Sequence, residues 1–338
     1  MANNRVLYSI LACGFSKDGE TTAIPAHGVQ SATLTTNFNL TDIFELSQAQ
    51  VYQILEDLPD IQVTVNKVLD GYPLLTHLAT NGATAGSIQG RSTKRTTFTM
   101  SLFMDTQENA SGVPIIQTDC SGMFWNGSTF TFPVEGASTE EITLVGNNKV
   151  NRISGFTFAG ATLNSVFDGD DAPFYGTVMQ RQHFDWNTSR IPTSVAGISS
   201  SGTNNSDSAG NFAAAVQNIS VSFDLGRTNL NELGHKGPYF RNPNPIIDVT
   251  TTIDINSKSG DLVQATEAGI YGDGNNTINE RIYLQCLEST TLDLGTRNKL
   301  QSVNVTGADT GGQIQTVSYT YIGKNVCTIL HSSDPSNL

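Results

Sequence analysis

Apolar and polar side chains alternate through much of this chain. Ala32, Leu34, Thr36, Phe38 and Leu40 fall on one face of an extended segment, the period-two pattern of a half-buried strand. Ile219, Val221, Phe223 and Leu225 do the same, with Ser220, Ser222 and Asp224 opposite. Phe98, Met100 and Leu102 alternate with polar residues, as do Phe130, Phe132 and Val134, and later Val317, Tyr319 and Tyr321. One stretch departs from this period. Ile43, Leu46, Ile54 and Leu55 form a partial apolar stripe behind Thr41 as a cap, which predicts a helix over Asp42–Leu58. Arg227–Pro245 contains Gly234, Gly237, Pro238 and Pro243, which exclude a continuous helix. It reads as an extended loop carrying Lys236, Tyr239, Phe240 and Arg241. The fold class expected is mainly β, with strands packed as sandwiches or curled toward partial barrels and little helix.

The pattern occurs twice. Val29-Gln30-Ser31 returns as Val216-Gln217-Asn218, Thr33 and Thr35 as Ser220 and Ser222, and Asn37 as Asp224. Glu45-Leu46-Ser47 returns as Glu232-Leu233-Gly234 and Tyr52 as Tyr239, all at one constant spacing. After a one-residue slip, Pro59, Ile61, Val63 and Thr64 align with Pro245, Ile247, Val249 and Thr250. Phe98, Met100 and Leu102 then correspond to Ile282, Leu284 and Cys286, and Val145-Gly146 to Ile322-Gly323. Collinear matches of this extent argue for a tandem duplication. Ile198–Asn211 is rich in Ser, Gly and Asn, the composition of a linker. The expected division is therefore two tandem domains, 1–195 and 213–338, joined by 196–212.

Composition narrows the function. Charged residues make up only 14% of the chain, so sheet edges have little charge to keep them apart unless partners cover them. The formal charge of −13 argues against tight nucleic-acid binding, which needs Lys and Arg on phosphates. An acidic passage past which DNA slides is compatible with it, and so is simple colloidal solubility. No apolar run is long enough to span a bilayer. Val6–Phe15 has no basic region before it and reads as a first strand, not a signal peptide. Cys13, Cys120, Cys286 and Cys327 have no metal-like spacing and read as reduced core residues.

Ala215–Arg241, followed by Pro245-Ile246-Ile247-Asp248-Val249, resembles bacteriophage tail tube proteins: a Val-Gln strand, a loop with Glu-Leu-Gly and Tyr-x-Arg, then a Pro-led strand. Gly28–Ile61 is a degraded copy, with Ser47 in place of the glycine and no arginine where the second copy has Arg241. The resemblance implies neighbouring subunits that join their sheets into an inner barrel. Rings of six such domains stack into a hollow tube that DNA passes through without tight binding. Two domains per chain imply a homo-oligomeric trimer with pseudo-six-fold symmetry, bound to other tail proteins. The implied location is the virion tail, assembled in the host cytoplasm. The capacity of long loops to bridge to neighbouring subunits and rings assigns such contacts to Asp42, Glu45, Tyr52 and Glu56 in the first loop. In the second it assigns them to Arg227, Glu232, His235, Lys236, Tyr239, Phe240 and Arg241.

Catalytic chemistry is not legible in the sequence. It contains no phosphate-binding Gly-rich motif, no Gly-x-Ser-x-Gly and no His-Glu-x-x-His. The five histidines, His27, His77, His183, His235 and His331, form no zinc-type pair. Asp168–Asp171 and Asp273–Thr277 read as turns, since neither is followed by the glutamate of a calcium loop. The expectation is a structural protein, not an enzyme, with no cofactor and no metal. The open alternatives are a tube-like neck, baseplate or decoration protein, a carbohydrate-binding β-sandwich with an aromatic-lined pocket, or a glycosidase with two facing carboxylates.

Overall fold

The computed structural model describes residues 11–20, 22–83, 85–103, 114–153, 177–198, 215–257, 261, 263, 279–286, 290–307 and 314–332. It is mainly β. The early strands are β1 (Leu11–Lys17), β2 (Ile24–Pro25), β3 (Val29–Asn37), β4 (Leu40–Phe44), β5 (Val51–Glu56) and β6 (Asp60–Val68). Two short helices, α1 (Leu75–Ala79) and α2 (Ile88–Arg91), follow. Next come β7 (Arg95–Leu102), β8 (Ile116–Pro133), β9 (Thr139–Gly146) and β10 (Asn148–Arg152). The later part holds β11 (Ala215–Asp224), β12 (Thr228–Leu230), β13 (Phe240–Asn242), β14 (Asp248–Asn256), β15 (Tyr283–Cys286), β16 (Thr290–Asp293), β17 (Lys299–Thr306), β18 (Thr316–Lys324) and β19 (Thr328–His331).

The ladders show one unit built twice. In the first, β3 pairs β6, β6 pairs β9, and β9 pairs the C-terminal part of β8. In the second, β11 pairs β14, β14 pairs β18, and β18 pairs β17. All are antiparallel. Irregularities repeat as well as strands. A bulge at Gln30 in β3 returns at Gln217 in β11, and each glutamine donates its amide back to the carbonyl two residues earlier, Gly28 or Ala215. The bulge at Asn126 in β8 returns at Gln301 in β17. Bulges re-aim a strand and tend to be kept as designed features, so their shared placement ties the two units together more tightly than residue identity does.

The ladders also correct the sequence alignment at one place. Asn37 faces Asp60, and Asp224 faces Asp248. Asp60 therefore corresponds to Asp248, and Ile61 to Val249, two positions on from the Pro59-to-Pro245 match. Both choices keep apolar residues on the same face, so alternation alone could not separate them.

A second layer backs each unit: β1, β7, the N-terminal part of β8 and β10 in the first, β15, β16 and β19 in the second. Strand β8 passes from the second layer into the first through its bulge. Between the layers lies a continuous apolar core that includes Phe15, Phe98, Trp125, Phe130, Val221, Phe223, Ile253, Tyr319 and Tyr321. Trp125 meets Phe223 edge to face at 5.4 Å, an arrangement favoured by the ring quadrupoles. All four cysteines are buried and unpaired, as a reduced interior requires.

The expected helix over Asp42–Leu58 is absent. Those residues form the β4–β5 hairpin, with Thr41 opposite Leu55 and Ile43 opposite Gln53. Four β-branched side chains, Thr41, Ile43, Val51 and Ile54, favour the pleated form, and the apolar stripe at helical spacing was coincidental. The extended loop expected over 227–245 carries a short ribbon, β12 with β13. Residues 199–214, 264–278 and 308–313 lie outside those described, and with them most of the expected linker and the Asp273–Thr277 turn; Asp168–Asp171 lies outside them too.

Candidate assembly interface

The two units fuse edge to edge. The last strand of the first, β8, pairs antiparallel with the first strand of the second, β11, from Gly127↔Asp224 to Pro133↔Asn218. The result is an uninterrupted run of strands, β3-β6-β9-β8-β11-β14-β18-β17. Its two ends stay open among the described residues, where β3 pairs only with β6 and β17 only with β18. An open strand edge presents a row of unpaired backbone donors and acceptors.

The fused joint shows how this chemistry closes an edge. On its core side Phe130 faces Val221 and Phe132 faces Ile219, and Phe130 and Val221 are fully buried. On its other side Thr129 faces Ser222 and Thr131 faces Ser220. Gly127 stands opposite Asp224 at one end of the joint. A Cβ there would lie 2.8 Å from the Phe223 carbonyl oxygen, so only glycine fits without displacing backbone.

The second hairpin locks the joint. Arg227 donates through Nε and Nη2 to the Trp125 carbonyl at 2.9 and 2.6 Å, to the Ser92 carbonyl and to the Arg241 carbonyl at 2.9 Å. Its guanidinium lies 4.9 Å over the Phe124 ring. Burial, and then the neighbouring Arg241, lower its pKa to about 10, so it remains charged at neutral pH. Phe240 packs edge to face on Phe124 at 5.5 Å, and buried Arg241 donates to Asn147 Oδ1 at 2.6 Å. Three of the residues assigned to contacts between subunits, Arg227, Phe240 and Arg241, thus contact the other repeat of their own chain. Glu232, His235, Lys236 and Tyr239 are exposed toward the tip of the same segment, with His235 and Glu232 3.8 Å apart.

The first hairpin has the same register as the second: Thr41↔Leu55 matches Thr228↔Asn242. Leu40, Gln53 and Ile54 therefore stand where Arg227, Phe240 and Arg241 do. Their surroundings differ. Every residue of β4 and β5 is exposed, including Asp42, Tyr52 and Glu56, and Glu45 is exposed in the connecting turn. Phe38, Leu40, Phe44, Tyr52, Ile54 and Leu55 all show more than half their surface, whereas a two-stranded ribbon alone is marginal in water.

The face of the eight-strand run away from the core is polar. Its strand positions carry mostly Ser, Thr, Asn and Gln, interspersed with Val68, Val145 and Ile322, and the acids Asp60, Glu141, Asp224, Asp248 and Asp254. Among the described positions of this face the cations are Lys324, which is bonded to Asp248, and Lys299, opposite Ile322 at the edge. Asp254 accepts from Ser318 and Asn218. A separate cleft of about 610 Å³ beside the joint is lined by Phe132, Met179, Phe184, Trp186 and Val216 among others. Among the described residues no group of His, Cys, Asp and Glu could hold a metal ion, and no helix is long and apolar enough to cross a membrane. Sequence reasoning missed Gly127, Asn147 and the joint itself; the absence of Pro between Ile116 and Phe132 was the available signal for a strand long enough to serve both layers.

No family model and no curated protein matches the chain. Similar solved structures include the tube-terminating cap of the anti-feeding prophage, with TM-score 0.32 and 13% identity over 46% of this chain and 95% of that one. A sheath–tube complex of an extracellular contractile injection system gives TM-score 0.33 and 12% identity over 45% and 95%. A sheath/tube terminator of such a system gives TM-score 0.33 and 14% identity over 45% and 99%.

Proposed function

We propose that the protein is a non-enzymatic structural subunit of a tail-type particle, whose copies join edge to edge into a closed ring and stack into a hollow tube. The observation that carries this reading is the fused joint. One chain already contains a unit–unit contact of the kind a ring needs, and it ends in two open edges of the same two kinds. An edge-to-edge contact between unlike surfaces repeats until it closes as a ring or continues as a filament, and closure removes exposed edges altogether. Three chains would supply six equivalent units. The polar, acidic face of the sheet would line the bore and let DNA move without holding its phosphates. The exposed hairpin, together with the tip from Glu232 to Tyr239, would reach neighbouring chains and rings.

Negative-stain imaging of concentrated protein, combined with mass measurement, tests the reading. Rings or tubes with three chains per ring are expected. Monodisperse monomers at every concentration, or rings of six chains, would overturn the trimeric arrangement. A glycan-binding role is the second reading, because Phe132, Phe184 and Trp186 give the cleft beside the joint the aromatic lining it calls for. Calorimetric titration with oligosaccharides should show no heat of binding if the first reading holds alone.

A further inference from the structure

The register of the fused joint can be carried to the two open edges, because every strand that defines it has a counterpart. We infer that β3 of one copy and β17 of the next form an antiparallel ladder with Ala32 opposite Gly307, Thr33 opposite Thr306, Leu34 opposite Val305, Thr35 opposite Asn304 and Thr36 opposite Val303. The inference rests on the ring reading above and adds to it the residue-level seam between copies.

Three observations carry it. First, β3 and β11 share the bulge at Gln30 and Gln217, and β8 and β17 share the bulge at Asn126 and Gln301. These fix the correspondence on both strands, so the pairs of the fused joint translate without a free choice of register. Second, the translated pairs match in chemistry. Leu34 and Val305 fall together on the core side, and Thr33, Thr35, Asn304 and Thr306 on the polar side. A slip of one residue would set the apolar row of one strand against the polar row of the other. Third, the side chains buried in the fused joint are exposed at the open edges. Phe130 and Val221 are fully buried, whereas their counterpart Val305 is 40% exposed and Leu34 only partly covered. The same holds for the hairpins. Phe240 and Arg227 rest on Phe124, and the matching hairpin of the first unit, with Leu40 and Ile54 exposed, has no such seat among the described residues of its own chain. In the next copy the equivalent seat is the Lys299–Leu300 end of β17. At one end the copy of the joint is imperfect. Ser302 stands where the fused joint has Gly127, so its Cβ would crowd the neighbouring backbone and the ladder should end at Thr36–Val303.

The geometry supplies the test. Val134 N donates to Gln217 O and Leu225 N to Asn126 O, which makes the core-side pairs of the joint the hydrogen-bonded ones. The polar-side pairs are then the narrow, non-hydrogen-bonded kind, whose Cβ atoms lie close enough for a disulfide. Thr35 and Asn304 are both exposed in the free chain. The double variant Thr35→Cys/Asn304→Cys, oxidised with diamide in assembled protein, should give covalent multimers that reduction dissolves. The register control Thr35→Cys/Ser302→Cys should remain monomeric in denaturing gels. Mixing the single variants Thr35→Cys and Asn304→Cys should give dimers, which shows that the bond joins different chains. Circular dichroism and the melting temperature of the reduced variants confirm folding. Rings that form normally while Thr35→Cys/Asn304→Cys stays uncross-linked, or in which the control cross-links instead, would overturn the seam and leave the ring reading intact. Protein that forms neither cross-links nor rings would overturn both.

Discussion

Arg227 donates to three carbonyl oxygens around the joint between the repeats, those of Trp125, Ser92 and Arg241. Removing it takes those donors away, and each buried acceptor left unsatisfied costs about 1–3 kcal/mol. Arg227→Ala should therefore lower stability by roughly 3 kcal/mol once partial relaxation is allowed for, read as a shift of the urea midpoint at unchanged slope. Arg227→Lys should recover little, because an ammonium group cannot present the planar fork that reaches several acceptors at once; full recovery would mean that charge alone matters there. A second single-residue effect depends on pH. His27 lies beside Tyr72, with ring centroids 4.6 Å apart. Burial, and then the nearby Lys67, lower its pKa from 6.5 to about 4. The unfolded chain thus binds more protons than the folded one between those values, and stability rises with pH across that window. The contribution is complete above about 6.5 and is lost as pH falls toward 4. His27→Gln should melt with a shallower dependence on pH over that window than the parent protein; identical slopes would refute the assignment. Neither residue stood out in the sequence for these roles, since burial and partners are set by contacts distant along the chain.

Elements were legible where alternation was long and turn chemistry supported it. β3, β11 and the run through Phe130 and Phe132 could be read directly, because a half-buried strand writes its period into the sequence. The β4–β5 hairpin could not. Both its faces are exposed in the free chain, so no single apolar row marks it, and a chance stripe took the place of one. Its turn does carry a sign of the true structure: Ser47 has φ +76° and its counterpart Gly234 has φ +93°. A side chain in this left-handed region costs about 1–2 kcal/mol that glycine avoids. Ser47→Gly should relieve that strain, which slower amide hydrogen exchange across Leu40–Glu56 would report. Unchanged or faster exchange would show that the turn is held in place by something other than its backbone preference. The sequence match of Glu45-Leu46-Ser47 with Glu232-Leu233-Gly234 already placed the two turns in register. What it could not show was that one hairpin finds its seat inside the chain and the other finds none among the described residues.

For the whole molecule, the duplication was legible but its consequence was not. Matching residues told of two units; only the ladders show that they share one sheet, and that the shared joint leaves its two strand types unpaired at the far ends. Under the proposed ring, the open face of that sheet would be what a passing molecule meets. Its described strand positions carry five acids and two cations, Lys324, which is tied to Asp248, and Lys299 at the edge. A duplex approaching such a face meets mostly hydroxyls, amides and like charge, with little to release its counterions. Lysines placed there should reverse this. Thr64, Thr131 and Thr252 all lie on the open face and none faces another across a ladder, so Thr64→Lys/Thr131→Lys/Thr252→Lys avoids setting like charges directly opposite. The wild-type assembly should leave duplex DNA unbound at moderate salt. The triple variant should bind it, with an affinity that falls steeply as salt rises, by a slope of roughly −0.9 for each phosphate neutralised. Fluorescence anisotropy of labelled duplex across a salt series separates the two. Equal binding by both proteins would show that DNA meets some other surface, and the acidic face would lose its assignment as the wall of a passage.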